Sequence, residues 1–233
     1  MAVVITGTAA GVPYVALPPR TGRRLVLVWH LLGQPGTPHD MAATLPLPDV
    51  DAWRVYPALP LRDPSPDFLL DGYAPLVTEA ADAVPELVTA LRGELGCAGP
   101  VDVVGGSAGG HVALLTAVRG EVPVRRVAVV NPAVTAESVV EASVAAGFLP
   151  AYDWTPAARA AVAPLDVLAV ADRLTAPLLV VRGEDEYPAF RPVQRRLCEA
   201  VPRAELVDVP GLAHMLVTRT DEVEAEVTAW LNT

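Results

Sequence analysis

Val103-Val-Gly-Gly-Ser-Ala-Gly-Gly-His111 joins two different kinds of sequence. An apolar, β-branched run enters it from Val101, and a helical pattern leaves it from His111 to Val118. At the junction lies Gly105-x-Ser107-x-Gly109. A serine on so sharp a strand-to-helix turn takes a strained backbone conformation and points its hydroxyl out of the sheet. The residues two before and two after it must be small, or their side chains would strike the adjoining strand and helix. The glycine and serine content of the chain gives roughly 0.02 chance matches to this pattern, so coincidence explains it poorly.

Working outward, the apolar segments are short and β-branched, and from the third onward they alternate with helical patterns. Arg24-Leu-Val-Leu-Val-Trp29 is continuously apolar, the mark of a strand buried on both faces. Trp53–Tyr56, Val101–Val104, Val127–Val130, Leu178–Val181 and Leu206–Val209 share that character, while Val3–Ile5 and Pro13–Leu17 read as two edge strands joined through Gly7 and Gly11. Helical spacing runs over Leu76–Leu91, with a kink or restart at Pro85, and over His111–Val118, Phe190–Ala200 and Val223–Leu231. In the last of these Val223, Val227, Trp230 and Leu231 share a face, and Asp221 and Glu224 are suited to capping its start. This alternation predicts an α/β domain over residues 1–233, with about eight mostly parallel strands and helices on both faces. Residues 134–172 break the rhythm with Pro150, Pro156 and Pro164. They read as a helical, lid-like insertion at the carboxyl end of the sheet, where ligands bind in such architectures.

The chain has 233 residues, 52% of them hydrophobic and 19% charged, with a net charge of −10. That length supports one domain with a sizeable core. Cys97 and Cys198 form one pair at most, too few for a disulfide scaffold or a zinc cage of cysteines. The acidic balance argues against nucleic acid or anionic lipid as a partner. All 17 basic residues are arginine, which excludes a P-loop lysine, a Schiff-base lysine and the Tyr-x-x-x-Lys pair of short-chain dehydrogenases. Arginine amid abundant Ala, Val and Pro also suggests a GC-rich bacterial genome. MAVVITGTAAG lacks the basic start and long apolar stretch of a signal peptide, and no long uncharged apolar run suggests a membrane span, so a cytoplasmic location is expected.

Serine alone is a weak nucleophile and needs a base oriented by an acid. The chain contains four histidines, His30, His39, His111 and His214, and only His214 follows the last strand-like run, in Pro210-Gly-Leu-Ala-His214. Ahead of it, Val180-Val-Arg-Gly-Glu-Asp-Glu186 ends a strand with acids. The chain order serine, acid, histidine suits this architecture. Both Asp185 and Glu186 are candidates for the acid.

Over nearly its whole length the sequence resembles the α/β-hydrolase family, on Gly105–Gly110, the Gly183–Glu186 turn, Gly211–His214 and His30-Leu-Leu-Gly33. The resemblance implies Ser107 as nucleophile and His214 as base. The acid, three residues past the glycine after the seventh strand, falls on Glu186, although Asp185 has the commoner residue type. It implies an oxyanion hole formed by the Ala108 amide and one from the loop after the third strand. Leu31 replaces that loop's usual glycine, so Leu32 is the expected donor and Leu31 the alternative. His30 and His111 are expected to be structural. Ser-Ala-Gly-Gly-His is similar to the elbow of hormone-sensitive-lipase-like and formamidase-like enzymes, which implies cleavage of an ester, thioester or amide. No metal or organic cofactor is implied, and the partner is a small acyl substrate with an apolar part. Val139, Val140, Val144, Phe148, Leu149 and Trp154 either line an acyl pocket or form the packed face of the lid. Acyl transfer or cyclisation, or ligand binding without catalysis, are the competing functions on this fold.

Val4-Ile-Thr-Gly-Thr-Ala-Ala-Gly11 imitates a dinucleotide-binding turn. The helix such a turn must open is missing, because Val12-Pro-Tyr-Val-Ala-Leu-Pro-Pro19 follows. It reads as a hairpin.

Overall fold

The computed structural model describes residues 3–233. Met1 and Ala2, which open the segment read above for a leader, lie outside the described residues. Eight strands form one sheet: β1 (Ile5–Ala9), β2 (Val12–Leu17), β3 (Leu25–Trp29), β4 (Trp53–Pro57), β5 (Val101–Gly106), β6 (Val124–Val130), β7 (Leu178–Asp185) and β8 (Ala204–Ala213). Their spatial order is β1-β2-β4-β3-β5-β6-β7-β8. β2 runs antiparallel to both β1 and β4, and all pairings from β4 to β8 are parallel. The helices are α1 (Pro38–Thr44), α2 (Ala74–Asp82), α3 (Val84–Leu95), α4 (Ser107–Arg119), α5 (Ala136–Ala145), α6 (Pro156–Val162), α7 (Phe190–Ala200) and α8 (Thr220–Asn232).

The continuous apolar strands have the physical cause anticipated for them. Successive side chains leave a strand on opposite faces, and both faces here are covered. Leu25, Leu27 and Trp29 of β3 pack in the core beneath α2, α3, α4, α5 and α7. Val26 and Val28 pack with α1 and α8 on the other side. Val127 and Val129 against Ala128 and Val130 repeat the division on β6.

Several boundaries differ from the sequence reading. The first strand is Ile5–Ala9, not Val3–Ile5, and its turn to β2 is Ala10-Gly11, both with positive φ as a tight hairpin requires. Gly7 therefore lies within β1, against the Tyr14 ring. Only β1 is an edge on that side, because β2 sits between β1 and β4, with Tyr14–Leu17 buried. The pattern over Leu76–Leu91 restarts at Ala83, and Pro85 falls in the first turn of α3, where its missing N–H costs nothing. Neither Asp221 nor Glu224 caps α8. Glu224 instead accepts the Leu47 N–H at 2.7 Å, which fastens the helix to a distant loop. The seven-residue α1, with Thr37 as its cap and Pro38 in its first turn, is absent from the sequence reading although both residues are helix-start signals.

Between β6 and β7 lie α5, α6 and two short 3-10 turns, Ala163–Leu165 and Leu168–Arg173, the last ending one residue beyond the segment 134–172 read from the sequence. They leave the sheet at the carboxyl end of β6, beside the end of β5.

Candidate active site

The strand-to-helix junction dictates the centre of the site. β5 stays extended through Gly106, and Ser107 opens α4 with φ +50°, a left-handed conformation costing a non-glycine residue about 1–2 kcal/mol. The flanking glycines are forced by space. A Cβ on Gly105 would lie 2.2 Å from Gly109 O, and one on Gly109 would lie 2.3 Å from His30 O. Strand, helix and the end of β3 thus meet too closely for any side chain there.

His214 follows β8 and reaches back over the sheet. Its Nε2 lies 2.9 Å from Ser107 Oγ, and its Nδ1 lies 2.8 Å from Glu186 Oε1. Glu186 Oε1 also accepts the Tyr187 N–H at 2.6 Å. A carboxylate only accepts, so Nδ1 carries the proton and the Nε2 lone pair faces the serine hydroxyl. Glu186 is buried, and Phe190 stacks on the imidazole with ring centroids 5.2 Å apart. Asp185, the other acid candidate, is the last residue of β7. It pairs through its backbone with Ala213 and turns its side chain to solvent, so it takes no part in this arrangement.

The loop after β3 separates its two candidate amides. Leu31 N–H donates to Pro35 O at 3.0 Å, and the Leu31 side chain is buried in the lower core, which removes it as an oxyanion donor. Leu32 and Ala108 line the same cavity as Ser107 and His214. The Ala108 N–H lies in the first turn of α4, where amides have no partner within the helix.

No protein-family model matches the chain, and no curated protein sequence matches it significantly. Solved structures do. TT1662 from Thermus thermophilus superposes with a TM-score of 0.76 at 18% identity, over 100% of this chain and 99% of its own. The hyperthermophilic esterase of Pyrobaculum calidifontis gives 0.73 at 23% identity, over 99% and 85%. The 2-hydroxy-6-oxo-6-phenylhexa-2,4-dienoate hydrolase of Rhodococcus sp. strain RHA1 gives 0.68 at 16%, over 100% of both chains. The chain has the α/β-hydrolase fold.

Within this α/β-hydrolase fold the other histidines are braces. His30 is buried, donates Nδ1–H to Leu31 O at 2.8 Å and accepts the Leu59 N–H on Nε2 at 3.0 Å. Burial lowers its pKa. His111, also buried, receives the Tyr73 hydroxyl on Nδ1 at 2.8 Å and donates Nε2–H to Leu165 O at 2.7 Å. Desolvation lowers its pKa to about 4. It ties α4 to the insertion and to a π-helical turn at Phe68–Tyr73. His39 is exposed on α1.

The cavity over Ser107 measures about 480 Å³ and has no Asp, Glu or Arg in its lining. Of the six apolar residues proposed for it, Val139, Phe148 and Leu149 do line it. Val140 and Val144 do not, because they lie on a different face of α5 from Val139, Ala142 and Ser143 and pack in or against the main core. Trp154 is also excluded, its ring set edge-on to Tyr152 with the Arg159 guanidinium above it.

Asn131 was not singled out by the sequence. With φ +45° at the end of β6, it accepts the Gly183 N–H at 2.7 Å and donates to Ala213 O at 2.8 Å and His214 O at 3.2 Å. It binds the ends of β6, β7 and β8 together beneath the acid and the histidine. Its one trace is a polar residue breaking the apolar run before Pro132. Among the described residues no helix is long and apolar enough to cross a membrane, and no cluster of His, Cys, Asp or Glu could hold a metal ion.

Proposed function

We propose that this chain is a serine hydrolase that cleaves a carboxylic ester, with thioesters and amides as related substrates, through an acyl-enzyme. The observation that carries the reading is the imidazole of His214, 2.9 Å from Ser107 Oγ and 2.8 Å from a buried Glu186 carboxylate. Ser107 Oγ attacks the carbonyl carbon while His214 Nε2 accepts the hydroxyl proton. Glu186 holds the tautomer and stabilises the imidazolium without taking the proton itself. The amides of Leu32 and Ala108 receive the developing oxyanion, each worth about 3 kcal/mol in such a role. His214 then protonates the departing alcohol, and the same imidazole activates water to release the acid.

The cavity supports a small, uncharged substrate with an apolar acyl part. Phe68, Val139, Phe148, Leu149 and Met215 offer apolar surface, and no cationic group stands ready for a carboxylate or phosphate. Residues 134–172 act as a small lid, a role supported by the five of its residues that line the cavity, Val139, Ala142, Ser143, Phe148 and Leu149. The name esterase carried by the Pyrobaculum protein agrees with this reading.

The experiment is reaction with a fluorophosphonate probe, followed by a panel of p-nitrophenyl esters of rising acyl length beside acyl-CoA and anilide substrates. Labelling confined to Ser107 with turnover of uncharged esters is expected. A chain that neither labels nor turns over any of them would refute the proposal and leave a binding protein.

A further inference from the structure

The acid needs support that a serine, a histidine and a glutamate do not themselves supply. Glu186 Oε1 is held by the Tyr187 N–H and by His214. Its second oxygen, Oε2, has one hydrogen-bond partner among the described residues, Gln194 Nε2 at 3.3 Å. Gln194 is fully buried on α7, and the same Nε2 donates to Pro132 O at 3.1 Å. Both neighbours can only accept, so the amide has a single workable orientation, with its NH₂ group toward them. Oε1 then points away and has no hydrogen-bond partner among the described residues. Filling the space alone would be served by a methionine or leucine, which brings no unpaired acceptor.

We propose that Gln194 is a positioning residue that fixes the Glu186 carboxylate against His214, an inference that rests on the serine-hydrolase reading above. A glutamate has one more rotatable bond than an aspartate, and a carboxylate anchored through one oxygen can swing about its last torsion. Gln194 closes that freedom. Its second bond sets where the carboxylate stands relative to the nucleophile. Pro132 O is adjacent in sequence to Ala133, whose N–H donates to Ser107 O at 3.1 Å. A closed circuit results, running from the Ser107 backbone through Ala133, Pro132, Gln194, Glu186 and His214 back to Ser107 Oγ. One turn earlier on α7, Arg191 Nη1 donates to Gly183 O at 2.7 Å and Glu184 O at 3.0 Å, gripping the backbone just ahead of the acid. α7 thus holds both the loop and the carboxylate.

The test is a double-mutant cycle on p-nitrophenyl butyrate with Gln194→Met, Glu186→Ala and the combined variant. Gln194→Met is expected to lower kcat about tenfold or more while KM moves less than about twofold. In the Glu186→Ala background the same substitution should change kcat by less than about twofold, because no carboxylate remains to be held. Equal losses in both backgrounds would show a purely structural residue and overturn the proposal, as would undiminished turnover in the single variant. Should circular dichroism show Gln194→Met unfolded, Gln194→Leu is judged by the same criteria. A wild-type chain without ester turnover would overturn the hydrolase reading and this inference with it, an outcome distinct from an active wild type indifferent to Gln194.

Discussion

The two walls of the cavity are built on different principles. One carries Ser107, Glu186 and His214 on the ends of β5, β7 and β8, where backbone approaches backbone closely enough to forbid a Cβ at Gly105 and Gly109. The other is made of the loop after β3, the π-helical turn at Phe68–Tyr73 and the insertion, whose contribution is apolar side chains on short helices. The first wall tolerates almost no change of residue type at its key positions. Apart from the Leu32 amide proposed for the oxyanion, the second demands only apolar surface of suitable size. On the proposed function the first is a catalytic wall restricted by geometry and the second a binding wall restricted mainly by chemistry, and the two should respond differently to substitution.

The largest contrast is expected within the first wall. Glu186→Gln should lower kcat by about four orders of magnitude, since the imidazole loses its tautomer and orientation, while the solvent-facing Asp185→Asn stays within about threefold of wild type. Steady-state kinetics on both variants decide it, and the reverse ranking would break the assignment of the acid.

The join between the walls should be sensitive to pH. His111 links α4 to Leu165, and its pKa is lowered from 6.5 to about 4 in the fold. Above about pH 6.5 it is neutral whether folded or not, and its contribution to stability is complete. As pH falls from 6.5 toward 4, the unfolded chain binds the proton first and stability is lost, by about 2 kcal/mol between pH 7.5 and 5. Buried His30, whose pKa is also lowered, acts in the same direction. Urea denaturation at the two pH values should show the loss in wild type and a smaller loss in His111→Gln. Equal losses would contradict it.

Asn131→Ala removes three hydrogen bonds beneath Glu186 and His214. It should cost about tenfold or more in kcat with little change in KM, because displacement of the catalytic groups by fractions of an ångström is enough. A change in KM alone would move Asn131 from the catalytic wall to the binding wall.

The smallest effect belongs to the second wall. Phe148 is 71% exposed at the cavity, so Phe148→Ala should raise KM for a long-chain p-nitrophenyl ester about threefold and leave kcat nearly unchanged. Loss of kcat would mean that the insertion takes part in catalysis.

The same division explains what could be read in the sequence. The elbow was legible because steric exclusion prescribes glycine at fixed spacing, and β3 to β7 were legible because burial on both faces leaves apolar runs. β8, by contrast, is a half-exposed edge strand and not the doubly buried one its sequence suggests. β1 was displaced by two residues because an exposed edge strand with Thr6, Gly7 and Thr8 carries no such run. Leu32 was the expected donor by resemblance, but what removes Leu31, the hydrogen bond of its amide to Pro35 O, has no trace in the sequence. Val139 and Val140 look alike in sequence and both pack in the main core, and only the rotation of α5 brings Val139 to the cavity as well. Asn131 and Gln194 act through partners 52 or more residues away or across packed elements, so no local pattern could reveal them.

The central claim is that Ser107 is the nucleophile and that its activation depends on the imidazole 2.9 Å away. Hydrolysis of p-nitrophenyl butyrate by Ser107→Ala tests it most directly. The account predicts a fall in kcat of about four orders of magnitude or more with an unchanged circular dichroism spectrum. Turnover within about tenfold of wild type would contradict it.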